Sequence, residues 1–188
     1  MANIQPATLV VAIIAILAIA AALWLYIQKE RTQKLRSQFG PEYDRAIGEH
    51  GGRIHGELDL LKRAKRVENF NIRRLDPAER SRYAQVWQRE QALFVDNPRS
   101  AVNHADTLVQ EVMQRRGYPV NSFEQNAADL SVDHPRVVEN YRVAHEIALR
   151  DASGQANTED LRRAMVSYRT LFEDLLEQPI AKVEEVRR

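Results

Sequence analysis

Two acids, a histidine and an arginine fall close together at Asp129, Asp133, His134 and Arg136, in the stretch AADLSVDHPR. Carboxylates beside an imidazole are the materials of general acid–base chemistry, and a nearby guanidinium suits an anion. These residue types fit an envelope ligand-binding sensor or a small enzyme. They also fit a plain linker, in which Asp133 or His134 caps a helix opened by His134-Pro135 and Arg136 pairs with Asp129 or Asp133. A second cluster, Lys62, Arg63, Lys65 and Arg66, sets four cations in the run KRAKR. Such a run is either a solvated helix face or a contact for anionic lipid or a partner. Nucleic acid fits poorly, because the rest of the chain is acidic and only Phe70 stands among the cations as a base-stacking aromatic. A third cluster, FGPEYDR at 39–45, places Glu42 and Asp44 in a first helical turn, where the helix dipole favours acids. Its functional reading is a docking elbow just below a membrane.

Other chemistries find no residues to carry them. The chain has no cysteine, which excludes disulfides, thiolate metal sites and cysteine nucleophiles. Its five histidines, His50, His55, His104, His134 and His145, form no i,i+3 or i,i+4 pair, and no HExxH occurs. There is no GxSxG, no phosphate loop and no GxGxxG. The expectation is therefore a non-enzymatic protein without a cofactor, a catalytic residue or a bound metal.

The elements that must position these clusters begin with an apolar run. No charged residue occurs from Ala7 to Ile27. As a helix this run is about 31 Å long, close to the thickness of a bilayer's hydrocarbon core. Trp24 and Tyr26 sit where an interfacial aromatic belt belongs. Residues 1–27 are thus expected to be a transmembrane anchor. The competing reading, a signal peptide cleaved after Ala18-Ile19-Ala20, is opposed by the missing basic residues ahead of the run and by its length beyond that point. Lys29, Arg31, Lys34 and Arg36 follow the run, and no Lys or Arg precedes it. The positive-inside rule places the N-terminus outside and the body in the cytoplasm, on the inner face of a plasma membrane.

Residues 29–75 carry 12 Lys and Arg against 7 Asp and Glu, and residues 76–188 carry 15 against 19. The basic half adjoins the apolar run, so anionic inner-leaflet lipid is its natural partner. Residues 28–75 are expected to form a basic helical stalk. Gln28–Gln38 continues the anchor helix, and Gly40-Pro41 breaks it. From Pro41 to about Phe70 the near-heptad positions Tyr43, Ile47, Ile54, Leu58, Leu61 and Val67 suggest a short coiled coil, through which the chain could dimerise. Gly51-Gly52 leaves open whether that helix is continuous.

Beyond Asp76 the helical period sharpens. Asp76-Pro77-Ala78-Glu79 predicts a capped start, and Asn97-Pro98 a second. Gly117-Tyr118-Pro119 predicts a stop. A short helix is expected over Phe123–Leu130, another from His134-Pro135 to near Gly154, and a last one capped by Thr158 and stopped by Pro179. No segment alternates with a period of two. The reading is all-α: residues 76–178 form a bundle of four main helices and one short one, followed by a charged tail over 179–188.

FGPEYDR (39–45), ALFVDNP (92–98), RRGYPV (115–120), AADLSVDHPRVVENYR (127–142) and TEDLRRAMVSYRTLFEDLLE (158–177) occur in this order. Through these stretches the chain resembles a family of single-span bacterial membrane proteins with a helical soluble domain. The resemblance implies that architecture and no particular activity. Together the features point to a membrane-anchored interaction or scaffold module for an unidentified protein partner. An aromatic patch near Tyr118 or Phe123 would mark the partner surface.

Overall fold

The computed structural model describes residues 6–176, with side-chain surroundings from Ile14 onward. The expected stop at Pro179 and the tail lie outside the described residues, as do the side chains of the apolar run before Ile14. Among the described residues there are eight helices and no strand. The chain is all-α, and contacts divide it into two compact units between Glu57 and Leu58. The stalk expected over 28–75 is shared between them.

The first unit contains α1 (Pro6–Phe39), α2 (Pro41–Glu49) and the start of α3 (Arg53–Val67). From Ile14 to Ile27, α1 is exposed on every side. Beyond Gln28 it becomes one-sided, and Leu35 and Phe39, one turn apart, are buried. Among the described residues, no helix is long and apolar enough to cross a membrane. Gly40 adopts φ 49°, which a glycine takes without strain, and Pro41 opens α2. The turn at Gly51 (φ 69°) then separates α2 from α3.

One uninterrupted coil over Pro41–Phe70 therefore does not form. The cause is intrachain packing. Tyr43 and Ala46 of α2 are buried, and the Tyr43 hydroxyl donates to Glu57 Oε1 at 2.8 Å. Thr32 donates to the same oxygen at 2.7 Å. A Cβ on Gly56 would lie 2.8 Å from Ile47 Cα, so only glycine allows this crossing of α2 and α3. Of the expected coil positions, Tyr43 and Val67 are buried within the chain, and Ile54, Leu58 and Leu61 are exposed.

The second unit contains the rest of α3 with α4 (Pro77–Asp96), α5 (Pro98–Arg116), α6 (Phe123–Asp133), α7 (Val138–Ala152) and α8 (Thr158–Leu176). Helix α5 packs between α4 and α8, α7 lies along α8, and short α6 rests against α7. Their apolar stripes meet in one core that includes Trp87, Val109, Met113, Tyr141, Leu171 and Phe172, with the Trp87 and Phe172 rings stacked 4.8 Å apart.

Local chemistry sets the helix ends. Asp76 and Glu79 form a reciprocal capping box, with Glu79 N–H donating to Asp76 at 2.7 Å and Asp76 N–H to Glu79 at 3.0 Å. Asn97 caps α5 by accepting from Ser100 N–H. Gly117 ends α5 in the left-handed conformation (φ 98°), and a Cβ there would lie 2.3 Å from Asn71 O. Three boundaries differ from expectation. Helix α6 continues to Asp133, because the chain reaches a proline-preceding residue, disfavoured in a helix, only at His134. Neither Asp133 nor His134 caps α7, which begins at Val138 after a turn, without a side-chain cap. The cap of α8 is Asn157 rather than Thr158, in a reciprocal pair with Asp160 (2.9 and 3.1 Å).

Candidate functional site

The four residues Asp129, Asp133, His134 and Arg136 do not converge. Each carboxylate has its own partner. Asp129, fully buried, receives Arg66 Nη2 at 3.0 Å and Gln125 Nε2 at 3.0 Å. Asp133 accepts from the Tyr118 hydroxyl at 2.7 Å. Arg136 is exposed, and the pairing expected between it and Asp129 or Asp133 is replaced by these contacts. The reason is reach: α6 presents Asp129 to α3, one turn before it presents Asp133 to the loop after α5.

The basic run is divided in the same way. Arg66 turns inward to Asp129, and Arg63 pairs with Asp59 at 2.6 Å and donates to Ser131 at 3.3 Å. Lys62 and Lys65 face outward, Lys65 with a surface partner in Glu68 at 3.0 Å. Thus one half of the basic cluster and one residue of the acidic cluster, 63 positions apart in sequence, form a single joint. Burial pushes the Asp129 carboxyl above the ordinary aspartate range, and Arg66 opposes that shift.

His134 belongs to a different network. It is 4% exposed and caps the C-terminus of α6, its N–H donating to Leu130 O at 2.7 Å. Its Nε2 lies 3.2 Å from Arg116 Nη1, and its Nδ1 contacts Asp174. A guanidinium can only donate, so Nε2 is the acceptor and Nδ1 carries the proton shared with Asp174. Both ring nitrogens are engaged, and neither is offered to a substrate. Arg116 itself is 1% exposed and also donates to Leu175 O at 3.1 Å. Its Nε and Nη2 have no hydrogen-bond partner among the described residues.

A buried cation of this kind is costly unless its surroundings are negative. Arg116 closes the last turn of α5, His134 caps the end of α6, and Leu175 lies in the last described turn of α8. The last turn of α5, the residue that caps α6 and the Leu175 carbonyl of α8 therefore meet around one guanidinium, and the partial negative charge of helix ends and carbonyls favours it there. Asp133 and Asp174 add charge of the same sign, while burial pulls the Arg116 guanidinium below its usual value. Tyr118 packs against Arg116, with its ring centroid 5.8 Å from the guanidinium carbon, and burial raises its hydroxyl. The RRGYPV, DLSVDHP and LFEDLLE stretches meet at this node. The sequence singled them out separately; the pair Arg115-Arg116 at a helix end was the one visible sign of it.

A second ionic cluster lies at the start of α4. Glu79 accepts two hydrogen bonds from Arg73, at 2.8 and 2.9 Å, and a third from Arg115. The Arg73 bonds, then the Asp76 N–H and Arg115, hold the Glu79 carboxyl at about 2. A groove of about 310 Å³ beside it is lined by Arg73, Tyr83, Glu111, Gln114 and Arg115.

The expected aromatic surface is only half present. Tyr118 is buried, whereas Phe123 is half-buried and stacks on His145, with ring centroids 3.6 Å apart. Among the described residues, no group of three or more His, Asp or Glu side chains is placed to hold a metal ion. Comparison with models of known protein families finds no match, and comparisons with curated proteins and with solved structures find none either.

Proposed function

We propose that this chain is a membrane-anchored helical interaction module. Residues 1–27 span the inner membrane with the N-terminus outside. The second unit is held in the cytoplasm near the bilayer, where it recruits or scaffolds a protein partner. The observation that carries this reading is the surface of α1. Ile14, Ile16, Leu17, Ile19, Leu23, Trp24, Leu25, Tyr26 and Ile27 are each 48–68% exposed, on all sides of the helix. A helix apolar all round needs an apolar environment on every side, which a bilayer supplies. The cations at Lys29, Arg31, Lys34 and Arg36 support the inward orientation. The dispersal of Asp129, Asp133, His134 and Arg136 among separate structural partners favours a module over a sensor or enzyme built on those four residues.

A unique cysteine tests the topology. Ser153→Cys places one thiol at an exposed helix end in a cysteine-free chain. With a membrane-impermeant maleimide, labelling is expected only after cell lysis, in the carbonate-resistant membrane fraction. Labelling of intact cells would overturn the orientation, and a shortened, released product would overturn the anchor.

A further inference from the structure

Helix α3 has two working faces. Leu60 and Val67 point inward and are buried, and Arg63 and Arg66 are tied to Asp59, Ser131 and Asp129. On the opposite side, Leu58 is 49% exposed and Leu61 38% exposed, with Lys62 and Lys65 beside them. Spacings of three, four and seven residues put these four on one stripe. They border an open, shallow groove of about 450 Å³ that Arg66 and Asn69 complete.

We infer that this outward face of α3 docks on anionic lipid headgroups, with Leu58 and Leu61 entering the interface and Lys62 and Lys65 reaching the phosphates. The inference rests on the anchored reading above, which confines the face to the neighbourhood of a bilayer. A basic amphipathic helix lies in the membrane plane in this way, the aliphatic stems of its lysines covering apolar surface while the ammonium groups stay with the headgroups. The groove is too open to enclose a small ligand, as binding pockets do. A second copy of the chain, anchored in the same orientation and so parallel, fits poorly, because this stripe would set Lys62 and Lys65 beside the same residues of the partner, like charge against like. Glu68, the one acid paired to the stripe among the described residues, holds Lys65 through an exposed i,i+3 bridge, which is weak and easily exchanged for a phosphate.

The test uses the full chain carrying Leu61→Cys, spin-labelled, in nanodiscs of phosphatidylcholine alone or mixed with phosphatidylglycerol. The label's collisions with oxygen and with an aqueous nickel chelate are compared. Anionic discs are expected to shift the label from the nickel-accessible to the oxygen-accessible population. The change Lys62→Gln with Lys65→Gln is expected to lower the ratio of oxygen-accessible to nickel-accessible label by about thirtyfold, from the loss of two cations near an anionic surface. A label that stays nickel-accessible in anionic discs overturns the docking while leaving the anchor intact. Shielding from both reagents, equal in neutral and anionic discs, overturns it in favour of a protein occupant such as a second copy. Failure of the unaltered chain to enter discs removes the anchored reading itself.

Discussion

Helices α1 and α8 are both rich in large apolar residues, and they use them in opposite ways. In α8, Leu161, Ala164, Met165, Tyr168, Leu171, Phe172 and Leu175 form one stripe, none more than 7% exposed. In α1, from Ile14 to Ile27, the apolar residues surround the helix and stand open. Content and angular distribution both separate the two helices: α8 carries seven Asp, Glu and Arg residues off its stripe, and Ala7–Ile27 carries none. A stripe matches a protein neighbour on one side, and a full apolar circumference calls for an apolar environment on every side. The change occurs within α1 itself, where the stripe of Leu35 and Phe39 takes over beyond Gln28.

The contrast can be broken by truncation. Phe172→Ala removes a ring that is 1% exposed and stacked on Trp87, and is expected to destabilise the second unit by about 3–5 kcal/mol in chemical unfolding of the detergent-solubilised chain. Leu17→Ala in α1 is expected to change the same transition by less than about 0.5 kcal/mol. Equal losses would mean that the α1 surface is packed against protein and that the two helices share one solvent.

A smaller effect sharpens the division within the basic run. Arg66→Met leaves the buried Asp129 carboxylate without its cation and is expected to cost about 1–3 kcal/mol. Lys65→Met is expected to fall within about 0.5 kcal/mol of the unaltered chain. The pH dependence has a fixed sign. Burial raises the folded-state pKa of Asp129 above its unfolded value, so its contribution is most favourable below the unfolded pKa and is lost as pH rises through the folded one. The Arg66→Met penalty should therefore shrink as pH falls into the carboxylate range. A penalty that grew on acidification would refute the inward assignment of Arg66.

The smallest effect concerns the start of the bundle. Asp76→Ala removes half of the capping box and is expected to cost about 1 kcal/mol, measured by thermal unfolding. Asp76→Ser, which keeps an oxygen for Glu79 N–H, should recover most of it.

What the sequence makes legible is local. The all-α class, the Asp76 and Asn97 caps, the Gly117 stop and the apolar stripes depend on residues within a turn or two of each other. The pairings made by the clusters are not legible, because the partners are distant in sequence. Asp129 lies 63 positions from Arg66, and His134 lies 40 from Asp174. Neither pairing has a periodic signature. Arg116 is harder still to anticipate, since an arginine in the last turn of a helix ordinarily reads as a solvated favourable end charge. The break between α2 and α3 falls at the Gly51-Gly52 turn, which the sequence marks, whereas the close crossing of the two helices depends on Gly56, whose missing Cβ no heptad count registers.

The Arg116 node also bears on how the bundle comes apart. Helix ends ordinarily fray one at a time, each opening at little cost to its neighbours. Here the last turn of α5, the His134 cap of α6 and the Leu175 carbonyl of α8 all meet one desolvated guanidinium, so opening any of them weakens the surroundings on which the other two depend. These three segments are expected to open as one unit, so amide hydrogen exchange in the last turns of α5 and α6 and around Leu175 should be slow and should quicken together in Arg116→Met.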